Sequence, residues 1–259
     1  MVYLPVEIIG EIFHYLRTDK SSLWNCALVC KSWTPSCRRH IFYHVGFKYS
    51  AEFRRWCRSV SAAPNGPHLH TRKLVINDHF FSDSGGDQSP NQSTLFLQHF
   101  TLFSNVQDLV IHSSYSYQTF DNLSVPEVFG HLSGTLRYLS IQGASCSPPA
   151  MISLVASFQH LDHLELLWTW FHNSESLRPT PERLTFKGIL SFTDWLASSE
   201  EFVRLLADHD LQYREVYVSG EHWLQDTVWN RCLAKCADRL KRFGINLSKN
   251  LSEQFLSIR

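Results

Sequence analysis

Seven cysteines and fourteen histidines are the residues of this 259-residue sequence best suited to metal binding or nucleophilic chemistry. Cys26 and Cys30 lie four residues apart, as do Cys232 and Cys236, so each pair falls on one face of a helix. Structural zinc usually takes four ligands in close pairs such as Cys-x-x-Cys, and neither pair has a second pair near it. We therefore interpret these cysteines as buried structural residues and predict no metal site.

Local signatures of catalysis are missing from the sequence. It contains no nucleophile motif, no glycine-rich phosphate loop, no His-Glu-x-x-His and no paired-carboxylate motif. We predict a protein that is not an enzyme, with no catalytic residues and no cofactor. The alternative of an enzyme whose site is assembled from distant residues has no motif in its favour.

The charge balance and the hydrophobic pattern narrow the class of protein. Lys+Arg and Asp+Glu number 24 each, so no global field draws the chain to nucleic acid or to an anionic membrane. The most apolar stretch, residues 154–170, is interrupted by polar residues and cannot span a bilayer. An odd number of scattered cysteines and a start without a signal-peptide pattern favour a reducing compartment. We expect a soluble protein of the cytoplasm, the nucleus or both.

Three short helices are predicted within the first 45 residues. Apolar residues recur at spacings of three and four over residues 4–16, and Pro5 stands where a first-turn proline is tolerated. A second helix follows a polar turn at Thr18-Asp19 and ends before Trp33, because Pro35 disfavours its continuation. A third helix passes through Arg38 and Arg39. So small a module needs a partner surface or the rest of the chain to complete its core.

Behind these helices the sequence repeats a strand-like tripeptide, separated by helical or loop segments, with a period of about 20 to 35 residues. The tripeptides are Leu74–Ile76, Leu109–Ile111, Leu139–Ile141, Leu164–Leu166, Leu184–Phe186, Val216–Val218 and Phe243–Ile245. Helical periodicity occupies residues 95–103, 125–132, 149–158, 193–208 and 221–237, and polar stretches at 82–93 and 173–181 predict loops. Strand, helix and parallel strand in turn form a right-handed coil. The predicted fold class is α/β: a small three-helix module followed by an irregular leucine-rich-repeat-like solenoid of parallel strands and helices.

Two separated segments of the N-terminal module resemble one known family. Residues 4–13 read Leu-Pro-Val-Glu-Ile-Ile-Gly-Glu-Ile-Phe, and residues 26–33 read Cys-Ala-Leu-Val-Cys-Lys-Ser-Trp. Together they resemble the F-box pattern of Leu-Pro, an amphipathic helix and a Val-Cys-x-x-Trp helix end. The resemblance covers roughly the first 45 residues, and leucine-rich repeats are a common companion of the F-box.

The resemblance implies a division of labour between two domains, residues 1–45 as the F-box and residues 46–259 as a substrate-binding repeat domain. It implies a substrate-recognition subunit of a Skp-cullin-F-box ubiquitin ligase, in which the F-box binds a Skp-family adaptor and, through it, a cullin. Catalysis then comes from proximity and not from chemistry in this chain. The alternative is a leucine-rich-repeat-like interaction scaffold with a degenerate F-box and no role in a ligase.

Two sets of contact residues are predicted. The adaptor-binding set lies on the first helix, because a module too small to bury all its apolar surface leaves some for a partner. The members of this set are Leu4, Pro5, Ile8, Ile9 and Ile12. Val29 and Trp33 are instead predicted in the F-box core. The substrate-binding set consists of aromatic residues that follow strand ends along one rim of the solenoid, with core packing as the alternative for each. Its members are Tyr115, Tyr117, Trp168, Trp170 and Phe171.

Overall fold

The computed structural model of the chain describes residues 4–60, 66–77, 99–113, 129–172, 184–193, 200–219 and 227–246. The loops predicted at 82–93 and 173–181 lie outside these ranges, as do parts of four of the predicted helical segments. The described residues form a mixed α/β fold with seven α-helices and a parallel sheet of eight strands.

Three helices form the N-terminal module: α1 (Val6–Tyr15), α2 (Lys20–Val29) and α3 (Thr34–Ile41). Helix α1 begins directly after Pro5, which has the extended backbone that helix N-caps adopt. Helix α2 is capped by Asp19, whose carboxylate accepts hydrogen bonds from the backbone N–H and the hydroxyl of Ser22. Helix α3 carries Pro35 in its first turn, where a missing N–H costs nothing. All three helices were predicted from the sequence.

The large sheet contains strands that neighbour one another almost in chain order, and every pairing is parallel. Its strands are β1 (His44–Phe47), β2 (Lys73–Ile76), β3 (Asp108–His112), β4 (Tyr138–Gln142), β6 (His163–Leu167), β8 (Thr185–Thr193), β9 (Asp210–Ser219) and β10 (Arg242–Asn246). Two short strands, β5 (Ser145–Cys146) and β7 (Trp170–Phe171), form a second parallel pair. Strand β1 was not predicted.

One face of the large sheet is covered by helices. They are α4 (Ser50–Val60), α5 (Pro148–Ala156), α6 (Glu200–Ala207) and α7 (Thr227–Cys236). Short 3₁₀ turns at 67–70, 101–103 and 130–132 precede β2, β3 and β4. The strands contribute two rows of buried apolar side chains to this core. One row, from β2 to β9, is Leu74, Leu109, Leu139, Leu164, Leu190 and Val216; the other is Ile76, Ile111, Ile141, Leu166, Phe192 and Val218.

Strand β8 is longer than the predicted tripeptide Leu184–Phe186 and extends from Thr185 to Thr193. The residue that pairs with Leu164 is Leu190, which lies outside that tripeptide. Next to the paired segment, Gly188 has a φ of +90° and lies against the carbonyl of Asp162, and at this point the pairing of β8 with β9 skips Arg214. Residue 193 therefore ends a strand, where the sequence predicted the start of a helix.

The N-terminal module is joined to the sheet through β1. The carbonyl of Tyr43 accepts hydrogen bonds from the backbone N–H groups of Arg72 and Lys73, at 3.0 and 2.9 Å. From α2, Nζ of Lys20 donates to the carbonyl of His44 at 2.8 Å. The predicted domain boundary at residue 45 thus falls inside a strand whose hydrogen bonds belong to the sheet.

Candidate adaptor interface and sheet face

The N-terminal module has a small core separate from that of the sheet. Phe13, Leu23, Cys37 and Ile41 are its buried members, one or two from each helix. Trp33 packs against them with its ring edge-on to Phe13, the centroids 5.8 Å apart. The sequence prediction that Trp33 belongs to this core is consistent with that position.

The predicted adaptor-binding residues lie mostly at the surface of α1. Leu4, Pro5, Ile8 and Ile12 are exposed, whereas Ile9 is partly buried against the small core. The same helix also exposes Val6 and Tyr15, which the sequence reasoning did not select; Tyr15 is 82% exposed.

Helix α2 carries a second exposed apolar set that the sequence reasoning missed. Leu28 is 83% exposed and Val29 75%, and Trp24 is also exposed. The prediction that Val29 belongs to the core was wrong. Apolar residues occur on all sides of α2, so their periodicity does not indicate which of them face outward. In the structure, Leu23 is the buried residue of this helix.

The predicted rim aromatics divide into three groups. Tyr115 and Tyr117 lie outside the described residues. Trp168 and Trp170 are 41% and 44% exposed, whereas Phe171 is 4% exposed and belongs to the sheet core. Phe171 is therefore removed from the predicted surface, since side chains alternate along β7.

The turn between β6 and β7 holds the two tryptophans in place. Trp168 has a φ of +51°, a conformation that few residues other than glycine adopt. Its N–H donates to the carbonyl of Thr193 at 3.1 Å, and the N–H of Trp170 donates to Ala144 at 2.7 Å. The backbone that carries the two tryptophans is therefore held by hydrogen bonds to residues 144 and 193.

The sheet face opposite the helices is polar and partly exposed. At its centre, Oε2 of Glu165 accepts hydrogen bonds from the hydroxyls of Tyr138 (2.5 Å) and Ser140 (2.6 Å). His163 contacts the ring of Tyr138 edge-on, and its Nε2 lies 3.1 Å from Oγ of Ser191. These residues come from three adjacent strands, so only the strand register brings them together.

Burial and hydrogen bonding shift the titration of this network. Burial and the hydrogen bond to Glu165 raise the pKa of Tyr138 to about 12. Burial lowers the pKa of His163, although the carboxylates of Glu165 and Glu215 oppose that effect. Both shifts favour the neutral forms of Tyr138 and His163 beside Glu165.

The prediction of buried structural cysteines is confirmed for Cys232 and Cys236 but not for Cys26 and Cys30. Cys232 and Cys236 are buried, and Sγ of Cys232 donates to the carbonyl of Val203 at 3.3 Å. Cys26 and Cys30 are half-buried. Within the described ranges, no group of three or more His, Cys, Asp or Glu side chains is placed to hold a metal ion. No helix in these same ranges is both long enough and apolar enough to cross a bilayer.

A comparison with known families finds that residues 1–47 match the family described as F-box-like. The match covers the three-helix module and β1, and it supports an F-box protein. F-box domains are adaptors and not enzymes, and they typically bind Skp-type proteins. No curated protein matches the chain.

Proposed function

We propose that this chain is the substrate-recognition subunit of a Skp-cullin-F-box ubiquitin ligase. The observation that carries the proposal is the exposed apolar surface of α1 and α2, which lies within the segment that matches the F-box-like family. Large apolar side chains left in water on so small a module favour a partner that covers them. The adaptor is that partner, and a cullin joins through it.

The contacts proposed for the adaptor come from both helices. On α1 they are the sequence-predicted set, with Leu4, Pro5, Ile8 and Ile12 exposed and Ile9 partly so. On α2 they are Trp24, Leu28 and Val29. Burying a leucine, valine or isoleucine side chain is worth about 1.5–3 kcal/mol, so several of them are enough for a stable complex after the cost of association.

The rest of the chain is proposed to capture a target protein. Its sequentially ordered parallel strands with helices on one face favour an irregular leucine-rich-repeat-like solenoid. The exposed Trp168, directly after β6, and Trp170, in β7, offer large rigid contact area. Such a subunit works in the cytoplasm, the nucleus or both, where the ligase and its targets meet.

The proposal is tested by co-expressing the full chain with a Skp adaptor and a cullin and purifying through a tag on the chain. We expect all three proteins to elute together from size-exclusion chromatography in stoichiometric amounts. Separate elution of the adaptor would contradict the proposal and leave the interaction scaffold with a degenerate F-box. The readout depends on binding alone, so no target needs to be known.

A further inference from the structure

Positive charge is concentrated where the N-terminal module meets the sheet. Helix α3 packs against α1 and also against the 3₁₀ turn at 67–70 that precedes β2. Arginines from these elements come together here, and we call them the junction patch. They are Arg17, in the 3₁₀ turn that follows α1, Arg38 and Arg39 of α3, and Arg72, directly before β2. The first three are exposed, and Arg72 is partly buried.

Contacts between the elements hold the patch together. The rings of His14 and His40 meet edge-on with centroids 6.4 Å apart, which places the end of α1 beside the end of α3. Nη1 of Arg72 donates to the carbonyl of Asn105 at 3.0 Å. Nδ2 of Asn105 in turn donates to the carbonyl of Leu69, also at 3.0 Å. These two hydrogen bonds connect Arg72 with the turn that packs on α3.

Two histidines inside the patch respond to its charge. Burial lowers the pKa of His40, and nearby positive charges, among them those of Arg17 and Arg39, lower it further. Burial likewise lowers the pKa of His70, with further lowering by every arginine of the patch except Arg17. Because Arg39 acts on both histidines, the part of the patch beside α1 and the part beside β2 are continuous.

The charges around these histidines differ in sign from those elsewhere in the protein. Carboxylates are among the charged neighbours of His163 and of His209. The charges that act on His40 and His70 are all positive. None of the ion pairs among the described residues includes an arginine of the junction patch.

The acidic residues of the N-terminal module do not neutralise the patch. They are Glu7, Glu11 and Asp19. Asp19 caps α2 through its hydrogen bonds to Ser22, and neither glutamate is among the charges that act on the two histidines. Clustered like charges repel one another and disfavour the compact state. An anionic ligand relieves that repulsion, since it supplies the missing counter-charge.

The dipole of α3 explains only part of the cluster. Positive side chains in the last turn of a helix interact favourably with its dipole, which suits Arg38 and Arg39. Arg17 and Arg72 belong to other elements, so this effect does not explain why they converge on the same place.

The chemistry of the patch favours carboxylates on a short segment. A guanidinium group donates two parallel hydrogen bonds to a carboxylate, and several such groups on a small surface match several carboxylates of one peptide. Nucleic acid fits less well, because duplex DNA presents a charge about every 1.7 Å and is bound along an extended basic surface. The charges of the whole chain sum to zero, so the positive field is local.

We propose that the junction patch is a docking site for an acidic segment of a partner protein, whose aspartate and glutamate carboxylates bind the guanidinium groups of the patch. The inference goes beyond the ligase role. It concerns charged residues distinct from the apolar ones proposed to contact the adaptor, and it holds whether or not the adaptor binds.

The test measures fluorescence anisotropy of labelled probes on titration with the full chain. The probes are a peptide of alternating glutamate and glycine, the same peptide with glutamine in place of glutamate, and an oligouridine. Only the glutamate peptide should bind well, and its Kd should rise as NaCl increases from about 0.05 M to about 0.2 M. The double variant Arg38→Gln with Arg39→Gln should raise that Kd about tenfold or more, because two charge-assisted contacts are lost.

Matched variants separate the patch from general charge and from folding. Arg54→Gln with Arg55→Gln removes two consecutive arginines from α4 and should leave the Kd unchanged. Arg17→Gln, outside α3, should raise the Kd severalfold. The melting temperature of each patch variant should equal or exceed that of wild type, since repulsion is reduced. No binding of the glutamate peptide, equal binding of the glutamine peptide, tighter binding of the oligouridine, or equal losses in the two double variants would overturn the inference.

Discussion

The rings of Phe171 and Phe202 stack nearly parallel, with centroids 4.5 Å apart and planes inclined by 4°. This contact fastens β7 to α6 inside the main core, while Trp170, one residue earlier, faces outward. The two adjacent residues of β7 therefore lie on opposite sides of the strand: Phe171 packs in the core, and Trp170 is exposed at the surface.

Truncating these two side chains should separate stability from recognition. Phe171→Ala should lower the free energy of unfolding by about 3–5 kcal/mol, because it leaves a cavity in the core. Trp170→Ala should lower it by less than about 1 kcal/mol. If Trp170 contacts the target, its truncation should weaken capture by about 2 kcal/mol, roughly thirtyfold in Kd. Thermal unfolding of each variant and binding of a target purified with the full chain provide the two measurements. A large fall in melting temperature for Trp170→Ala would assign it to the core.

A charge placed on the exposed surface of α2 should abolish adaptor binding without unfolding the module. Leu28→Asp changes a side chain that is largely in water in the free protein, so its melting temperature should stay within a few degrees of wild type. In the complex the same carboxylate has to be desolvated without a partner. Ala51→Asp, at an exposed position of α4, is the matched control and should bind normally. Equal adaptor binding by Leu28→Asp and Ala51→Asp, measured by co-purification, would remove α2 from the interface.

Gly188 should tolerate no side chain. Its φ of +90° strains any residue with a Cβ, and that atom would collide with the carbonyl of Asp162, which also accepts the hydrogen bond from Ile189. We expect Gly188→Ala to destabilise the chain by about 1–3 kcal/mol or more. Gly46→Ala is the control, since its Cβ would meet Val75 at an ordinary 3.6 Å. Chemical denaturation of both variants measures the difference, and equal stabilities would contradict the positive φ and the close approach at residue 188.

Two cysteines should differ sharply in reactivity. Hydrogen bonds from Ser32 lower the pKa of the half-buried Cys30 thiol, so its reactive thiolate forms at lower pH than in an ordinary cysteine. Burial raises the pKa of Cys57 to about 12 and also blocks access to it. Iodoacetamide at neutral pH should therefore label Cys30 and spare Cys57, as read by peptide mass spectrometry. Ser32→Ala should shift the pH midpoint of Cys30 labelling upward; an unchanged midpoint would show that Ser32 does not stabilise the thiolate.

Local sequence patterns were enough to predict much of the secondary structure. The three N-terminal helices follow from apolar spacing, a proline in a first turn and a capping aspartate, all of which act within a few residues. The tripeptides at Leu74, Leu109, Leu139 and Leu164 lie in strands because β-branched and leucine residues there alternate with polar ones or form short apolar runs. The F-box resemblance likewise rests on residues close together in the sequence.

The register of β8 and the exposure of α2 depended on the tertiary structure. The stretch after Leu184 has two apolar alternatives, and only pairing with β6 selects Leu190 over Leu184. In α2, Leu23 packs in the small core with Phe13 and Ile41, and this packing leaves the side chains of Leu28 and Val29 exposed to solvent. In both cases the sequence offers several apolar candidates, and the choice among them is made by residues distant along the chain.

The polar cluster around Glu165 is the clearest case of a feature that the sequence does not contain. Tyr138, Glu165 and Ser191 are separated by more than 20 residues from one to the next, and none belongs to a recognisable motif. What places them together is a parallel register fixed by backbone hydrogen bonds across three strands. The sequence by itself determined which segments become helices and strands, since those preferences are local. Which polar side chains share the open face was decided by the sheet, because a shift of a single residue in register sends every side chain of a strand to its opposite face.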